Sequence, residues 1–205
     1  MLETLNDISV INTDTGALDK IRYSVKSGFL YESIDFCDMN IFERIDMIRE
    51  FGYVVPTREL LTPIISMNKK WLSIGAGRGY LEHILQLHGV DIIATDLINI
   101  ECNPYFVGSG FEYTYTDIIH MDAISAIDHF NIKNVFMSWP PDGSLWPKDV
   151  IEKCEMICFI GESFGGRTGH DSFHELLSKM ELILKIKCVA FDGIDDYLWL
   201  YKHQI

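Results

Sequence analysis

The sequence predicts an α/β fold built on a doubly wound, seven-stranded sheet that is mostly parallel and ends in a C-terminal antiparallel hairpin. Strand and helix patterns alternate from residue 71 to about residue 180, which is typical of parallel sheets. The last two strand patterns lie on either side of Asp192-Gly193, a common hairpin turn. The length of 205 residues suits one domain with a full core.

The first unit of this sheet is the most informative stretch. Residues 71–74 are a short apolar run, and residues 75–79 read Gly-Ala-Gly-Arg-Gly. A helical spacing of apolar residues starts at Tyr80, and Gly89 is placed to end that helix. A second apolar strand then closes on Asp96, about 20 residues after the first glycine, where a carboxylate meets ribose hydroxyls in Rossmann-like sheets.

The spacing of the glycines indicates which nucleoside ligand fits. Dinucleotide sites space them Gly-x-Gly-x-x-Gly, but here the spacing is Gly-x-Gly-x-Gly and Tyr80 stands where the third glycine would be. This disfavours a nicotinamide oxidoreductase and favours a nucleoside with a small polar tail. The simpler interpretation is that the glycines only turn the chain.

The chain divides into an N-terminal arm with a helical cap, residues 1–50, and a Rossmann-like domain, residues 51–205. Residues 1–20 are polar and are expected to form a loose arm. The spacing in residues 34–51 predicts a helix that is either packed on the sheet edge or placed as a lid over the site. Its expected buried face is Phe36, Met39, Ile41, Phe42, Ile45 and Ile48.

Acidic residues dominate the charge. The chain has 17 Lys and Arg against 30 Asp and Glu, a formal net charge of −13. Such a surface repels phosphate backbones and argues against a long nucleic-acid groove. The basic residues Lys69, Lys70 and Arg78 are expected to be a solvated rim.

No metal or disulfide framework is expected. The five cysteines are scattered without a Cys-x-x-Cys pair, which predicts free thiols and a cytoplasmic protein. No apolar run approaches the length of a membrane span. His170 and His174 have a spacing that metal sites use, but a third ligand is not evident, so capping or surface roles are favoured.

Ligands of open α/β sheets lie outside the carboxyl ends of the strands. One such end is Ser138-Trp139-Pro140-Pro141, where the prolines fix φ and are expected to leave carbonyls pointing into the crevice. Trp139 offers a flat face, although the segment could also be a rigid strand exit with a packed Trp.

Acidic and basic residues follow two other strands. Asp122 is a natural N-cap for the helix that follows it. Glu162 and Arg167 either pair with each other or solvent, or act on a substrate. In the second case Glu162 accepts a proton or orients the acceptor, and Arg167 binds an anionic group.

The residues 75–80 with Asp96 resemble motif I of the class I S-adenosylmethionine-dependent methyltransferases. The resemblance implies S-adenosylmethionine as cofactor, Asp96 on its ribose, and Asp122 near its adenine, with Asp117 ranked second for that role. The cofactor-binding residues that it implies are Gly75, Ala76, Gly77, Gly79, Tyr80, Asp96, Leu97, Asp122, Ala123 and Ser138.

Residues 138–140 resemble motif IV of the amino-group methyltransferases, where a side chain and a backbone carbonyl hold the acceptor. Ser138 stands in place of that motif's acid or amide, and Pro141 in place of its aromatic residue. Upstream, Ser73 stands where motif I usually has an acid that orients the methionine end. With Ile160-Gly161-Glu162 and residues 166–169, the Ser-Trp-Pro-Pro run resembles a little-characterised methyltransferase-like branch.

The resemblance therefore implies a methyltransferase. We expect catalytic roles for Ser138, Trp139, Pro140 and Glu162, and substrate contacts from Trp139, Asp142 and Arg167. Aromatic and glycine-rich loops at 97–110, 139–149 and 161–170 suit a small-molecule or short side-chain acceptor. The alternative is an inactive methyltransferase-like module that binds the nucleoside and works through a protein partner, since Ser73 and Ser138 replace polar acids or amides.

Overall fold

The structure is a computed structural model and describes residues 16–97 and 113–203. Its α-helices are α1 (Ala17–Ser27), α2 (Ile41–Glu50), α3 (Arg58–Ser66), α4 (Tyr80–Leu87), α5 (Ala123–Phe130), α6 (Trp146–Ile151) and α7 (Asp171–Leu177), and a 3-10 helix spans Ser33–Phe36. The strands are β1 (Trp71–Ile74), β2 (Ile92–Asp96), β3 (Ile118–His120), β4 (Asn134–Ser138), β5 (Met156–Glu162), β6 (Glu181–Lys187) and β7 (Asp196–Lys202).

The strands form one seven-stranded sheet in the order β3-β2-β1-β4-β5-β7-β6. Strands β1 to β5 pair in parallel, and β7 runs antiparallel to both β5 and β6. The predicted fold class is therefore confirmed, including the C-terminal hairpin. Its turn contains Gly193 at φ +74°, a conformation that glycine adopts without strain.

Helices cover both faces of the sheet. Because strand side chains alternate, Trp71 of β1 and Phe136 of β4 pack into a cluster with Ile21, Leu61 and Ile84. Residues one position away, such as Leu72 and Val135, pack on the other face against α5, α6 and α7. The sheet is thus doubly wound, with α1 to α4 on one side.

Helix α2 inverts the expected pattern of burial. The apolar side chains of Ile41, Phe42 and Ile45 are exposed, Phe42 by 76%, whereas Arg44 and Glu50 are buried. The start of the helix is fixed by Asn40, whose side-chain oxygen accepts hydrogen bonds from the N–H groups of Phe42 and Glu43. The two carboxylate oxygens of Glu50 accept hydrogen bonds from Nε and Nη2 of Arg22 at 3.0 and 2.6 Å.

The N-terminal segment is more structured than its polar sequence predicts. Residues 1–15 lie outside the described part, but α1 begins at Ala17 and contributes Ile21 and Val25 to the core shared with the sheet. The helix expected over residues 34–51 is divided into the 3-10 helix and α2. Strand β3 spans only three residues, and the aromatic Tyr113 and Tyr115 precede it.

Across residues 16–97 and 113–203, every helix is too short or too polar to cross a membrane.

Candidate functional site

The sheet has one topological switch point, where chain connections leave β1 and β4 in opposite directions along the sheet. Ligands of open α/β sheets bind in the crevice at such a point, outside the carboxyl ends of the strands. Here the glycine turn follows β1 on one side and Ser138-Trp139 follows β4 on the other. The two motifs that the sequence singles out therefore flank the same crevice.

The glycine turn needs its glycines for two reasons. Gly75, Gly77 and Gly79 have φ values of +72°, +58° and +71°, which other residues rarely adopt. A Cβ at Gly79 would lie 2.7 Å from side-chain atoms of both Ile118 and Thr116. A Cβ at Gly77 would meet nothing within 4 Å among the described residues, so the backbone there is open to a ligand.

Asp96 joins the turn to the end of β2. Its Oδ2 accepts a hydrogen bond from the Gly77 N–H at 2.7 Å, and its side chain is buried. The N–H groups of Gly75 and Ala76 bind the Thr95 carbonyl at 3.0 and 3.1 Å. The carboxylate is therefore held at the turn, in the place where a ribose-binding acid is expected.

A carboxylate that the sequence did not single out lies beneath the turn. Ser73 of β1 donates a hydrogen bond of 2.6 Å to Oε1 of Glu82 on α4. Glu82 is 3% exposed, and burial, with a further contribution from the charge of Asp96, raises its pKa to about 7. An acid is thus present beside position 73, but it comes from the facing helix.

The adenine end of the predicted site lies along β2 and β3. Leu97, 58% exposed, follows Asp96 directly. Asp122 caps α5, since its Oδ1 accepts from the N–H groups of Ile124 and Ser125 at 3.1 and 2.9 Å. The side chain of Ser125, and after it these backbone N–H groups, lower the pKa of Asp122. Ala123 is buried behind it. Asp117 directly precedes β3, at the end of the strand opposite to Asp122, so the second rank of Asp117 for the adenine role stays a prediction.

Two turn residues point away from the crevice. Tyr80 is buried in the core, with its ring 5.8 Å from that of Phe51, so only its backbone remains near the turn. Arg78 is also buried and donates to the Glu50 carbonyl at 3.2 Å. The expectation that Arg78 forms part of a solvated rim is therefore wrong, because its guanidinium ties the turn to the end of α2.

Across the switch point, Ser138 ends β4 and Trp139 leaves it in a strained conformation. Trp139 has a φ of +48°, which is uncommon for a bulky residue and often accompanies functional sites. Its ring stacks on Tyr53 with centroids 4.8 Å apart and an interplanar angle of 14°. Its Nε1–H donates to Oδ2 of Asp196 at 3.2 Å. The indole is thus fixed from both sides.

The prolines have a different function from the expected one. The Pro140 carbonyl accepts from the Gly169 N–H at 3.0 Å, and the Pro141 carbonyl accepts from the Ser144 N–H at 3.1 Å. Pro141 and Thr168 also form an isolated antiparallel bridge. These carbonyls therefore join two loops and do not point into the crevice as predicted.

The remaining predicted site residues follow β4 and β5. Both oxygens of Glu162 accept backbone N–H groups, Oε2 from Arg167 at 2.8 Å and Oε1 from Asp195 at 3.2 Å. Glu162 is buried, whereas the side chains of Arg167 and Asp142 are exposed at the rim. The structure thus links Glu162 to Arg167 through the backbone of Arg167.

The histidines near α7 make hydrogen-bonding contacts within the protein, and the described cysteines are not in disulfides. His170 caps α7 by accepting from the Ser172 N–H at 3.1 Å, and His174 contacts the Thr168 carbonyl at 2.6 Å. Within the described residues there is no group of three or more metal-ligand side chains. Cys37, Cys154, Cys158 and Cys188 are free thiols, and Cys102 lies outside the described part.

Three buried polar residues at the crevice were missed by sequence reasoning: Glu82, Asp196 and Arg44. The side chains of Ser73, Ser138, Glu162 and Asp196 alternate onto the sheet face covered by α1 to α4. Helix α2 brings Arg44 to the same face, within electrostatic reach of Asp196 and Glu162. The sequence pattern gave no indication that Arg44 is buried, because helical periodicity assigns charged residues such as Arg44 to the solvent-exposed face of α2.

No family model and no curated protein match the sequence. Solved structures do. One is a Pyrococcus horikoshii protein provisionally described as an RNA methyltransferase, with 16% identity and a TM-score of 0.45 over 91% of this chain and 98% of its own. An S-adenosylmethionine-dependent methyltransferase from Clostridium acetobutylicum has 11% identity and a TM-score of 0.44, over 93% and 100%.

A third is the N-methyltransferase NodS from Bradyrhizobium japonicum, with 14% identity and a TM-score of 0.45 over 72% of this chain and 93% of its own. These neighbours are described as methyltransferases. At such low identities and TM-scores the similarity does not establish a function for this chain.

Proposed function

We propose that this protein is an S-adenosylmethionine-dependent methyltransferase that acts on a small-molecule or side-chain acceptor. The observation that carries the proposal is the arrangement at the switch point. A glycine turn held by a buried acid lies on one side, and a strained, braced tryptophan lies on the other. A nucleoside cofactor and an acceptor can meet between them.

The residues on the β1–β2 side fit the nucleoside part. The open backbone at Gly77 allows a ligand to approach closely, and Asp96 is already fixed to that backbone by its Oδ2. A carboxylate so placed can accept hydrogen bonds from two ribose hydroxyls. Leu97 offers an exposed apolar surface for a base, and Asp122 stands at the end of β3 for its amino group.

The pair Ser73–Glu82 fits the methionine part. S-adenosylmethionine supplies an electrophilic methyl group on a sulfonium and also carries an ammonium group. Glu82 places a carboxylate under the turn, where its ionised form would stabilise a cationic ligand. We infer that Glu82 takes the role of the acid that the methyltransferase family usually has at position 73.

The β4 side aligns the acceptor. Methyl transfer is a direct displacement, so the protein's main contribution is to hold the two reacting groups in line and exclude water. The Trp139 ring, stacked on Tyr53 and hydrogen-bonded to Asp196, is a rigid wall for that purpose. Ser138 lies at the edge of the crevice, Glu162 braces the loop that carries Arg167, and Asp142 and Arg167 lie at the rim.

The test is transfer of a labelled methyl group. The full chain is incubated with methyl-labelled S-adenosylmethionine and a cell extract separated into small-molecule, protein and RNA fractions. We expect label in the small-molecule or protein fraction, with Trp139→Ala losing it and Trp199→Ala, on the opposite face of β7, retaining it. Label only in the RNA fraction would show that the small-acceptor assignment is wrong. Cofactor binding without any label would support the inactive module instead.

A further inference from the structure

Arg44 is a buried cation with unused donors. Its side chain is 2% exposed, and within the described residues neither Nη1 nor Nη2 has a hydrogen-bond partner. The guanidinium lies over the Phe191 ring, with Cζ 4.0 Å from the centroid. Burial lowers its pKa, although the charges of Asp196 and Glu162 act in the opposite direction. Leaving such donors unpaired is costly, so a structural role alone explains Arg44 poorly.

Asp196 is a buried carboxylate with one oxygen that has no hydrogen-bond partner among the described residues. It is also 2% exposed, its Oδ2 accepts from Trp139, and its Oδ1 has no partner in the part of the chain that the structure describes. Burial raises its pKa. One protein face therefore holds two unused donors and one unused acceptor beside the Trp139–Tyr53 stack.

Three separate elements converge to make this arrangement. Arg44 comes from α2, Trp139 follows β4, and Asp196 begins β7, where it is the register partner of Glu162 on β5. Arg44 and Asp196 attract each other electrostatically, yet within residues 16–97 and 113–203 they form no ion pair. Buried opposite charges that lie within electrostatic reach of each other without pairing are suited to a ligand that binds both of them.

The geometry points to a binding site for the amino-carboxylate group of a small zwitterionic methyl acceptor, with its carboxylate on Arg44 and its ammonium on Asp196. This rests on the proposed function and names its substrate class. The guanidinium fork matches a carboxylate with two parallel hydrogen bonds. Asp196 Oδ1 accepts from the ammonium, and the Trp139–Tyr53 stack contacts the apolar part of the molecule.

Ligands with a single charge fit less well. An anion alone would be repelled by Asp196, and a cation alone would be repelled by Arg44. A zwitterion satisfies both and leaves no buried charge unpaired. The same chemistry occurs in the methionine end of S-adenosylmethionine, so the experiment has to separate the acceptor from the cofactor.

The probes are the twenty standard amino acids, each with its N-acetyl derivative and its decarboxylated amine. Thermal unfolding and methyl transfer are measured for the full chain. We expect at least one free amino acid to raise the unfolding temperature and to become methylated, while its N-acetyl and amine analogues do neither. Arg44→Met and Asp196→Asn should each raise KM for that amino acid at least about 10-fold.

Arg49→Met is the matched control, since Arg49 lies on the same helix, is exposed, and pairs only with Asp46 at 3.6 Å among the described residues. Its KM should change less than about 2-fold. Arg44→Met should also unfold at a higher temperature than the wild type, because it removes an unpaired buried charge. A merely structural Arg44 would give a lower unfolding temperature with KM unchanged, and that result would overturn the proposal.

Titration of S-adenosylmethionine separates the two sources of the zwitterion. If Arg44→Met and Asp196→Asn weaken cofactor binding as much as amino-acid binding, the site holds the methionine end and the acceptor assignment is wrong. If no free amino acid shifts the unfolding temperature, the zwitterion site itself is refuted. Failure of the wild type to bind the cofactor would instead refute the proposed function, while the thermal shift still tests the site.

Discussion

The two sides of the switch point differ in how their buried polar groups are used. On the β1–β2 side, Asp96 binds Gly77, Ser73 binds Glu82, and Thr95 donates to the Ser73 carbonyl at 2.8 Å. On the β4–β7 side, Arg44 and Asp196 keep unpartnered buried atoms within the described residues, and Trp139 has a positive φ. The carboxylates of the first side accept hydrogen bonds from the protein itself, whereas the second side keeps a buried cation and a buried carboxylate that do not pair with each other.

This difference indicates that the first side binds the cofactor and the second side selects the acceptor. A side whose carboxylates are already held by hydrogen bonds presents a fixed surface to one ligand, as a cofactor site requires. A side that leaves charges unpaired gains most when a ligand of matching charge binds, as specificity for an acceptor requires.

The largest effect is expected at Gly79 on the first side. Gly79→Ala places a Cβ into Ile118 and Thr116 at a φ of +71°, so it should destabilise the fold by about 2–4 kcal/mol. Gly77→Ala has no such contacts among the described residues and should cost only about 1–2 kcal/mol. Gly77→Ala should nevertheless weaken cofactor binding, because its Cβ occupies the open backbone. Denaturant unfolding and cofactor titration check both, and equal loss of stability would contradict this interpretation.

Glu82 should make stability depend on pH. Its folded pKa of about 7 lies above its ordinary 4.5, so the native state binds the extra proton between these values. The contribution of Glu82 to stability is full below pH 4.5 and falls as pH rises through 7. Glu82→Gln should therefore be more stable than the wild type at pH 8, by up to about 3 kcal/mol.

Cofactor binding should show the opposite trend with pH. A cationic ligand favours ionised Glu82, so affinity of the wild type should rise from pH 6 to pH 8, and Glu82→Gln should lose that rise. Ser73→Ala removes a hydrogen bond that favours the ionised form, so it should move the transition to higher pH. Titrations that show the same pH profile in all three proteins would count against a role for Glu82.

Trp139→Phe is a conservative change on the second side and removes a single hydrogen bond. The ring can still stack on Tyr53, but the Nε1–H donor to Asp196 is lost. We expect methyl transfer to fall about 10-fold, with cofactor affinity unchanged. Trp199→Phe removes a hydrogen bond to the Gly161 carbonyl on the other sheet face and should leave transfer intact. Equal losses from the two variants would mean that Trp139 acts only through stability.

The smallest effect is expected at the rim. The Arg167 side chain is exposed, and only its backbone N–H binds Glu162. Arg167→Ala should change stability by less than about 0.5 kcal/mol and KM for the acceptor by less than about 3-fold. A larger rise in KM would place the acceptor's anionic group on Arg167 and not on Arg44.

The sequence predicted the first side because its parts are local. Strand β1, the glycine turn, α4 and Asp96 lie within 26 consecutive residues, and their spacing alone positions them. Even there, Glu82 was missed, since a carboxylate on a helix is normally assigned to solvent. The second side is assembled from α2, β4 and β7, and the inward turn of Arg44 depends on tertiary packing that periodicity does not contain.

The measurement that tests the central claim most directly is calorimetric titration of S-adenosylmethionine into the wild type, Asp96→Asn and Asp91→Asn. Asp91 precedes the opposite end of β2, where it is exposed and pairs with Lys70 at 3.5 Å. Asn at position 96 can still accept from Gly77 but lacks the charge for ribose hydroxyls. We expect saturable binding by the wild type and Asp91→Asn, and affinity about 10- to 100-fold lower for Asp96→Asn. No binding at millimolar cofactor, or equal affinity in all three proteins, would contradict the account.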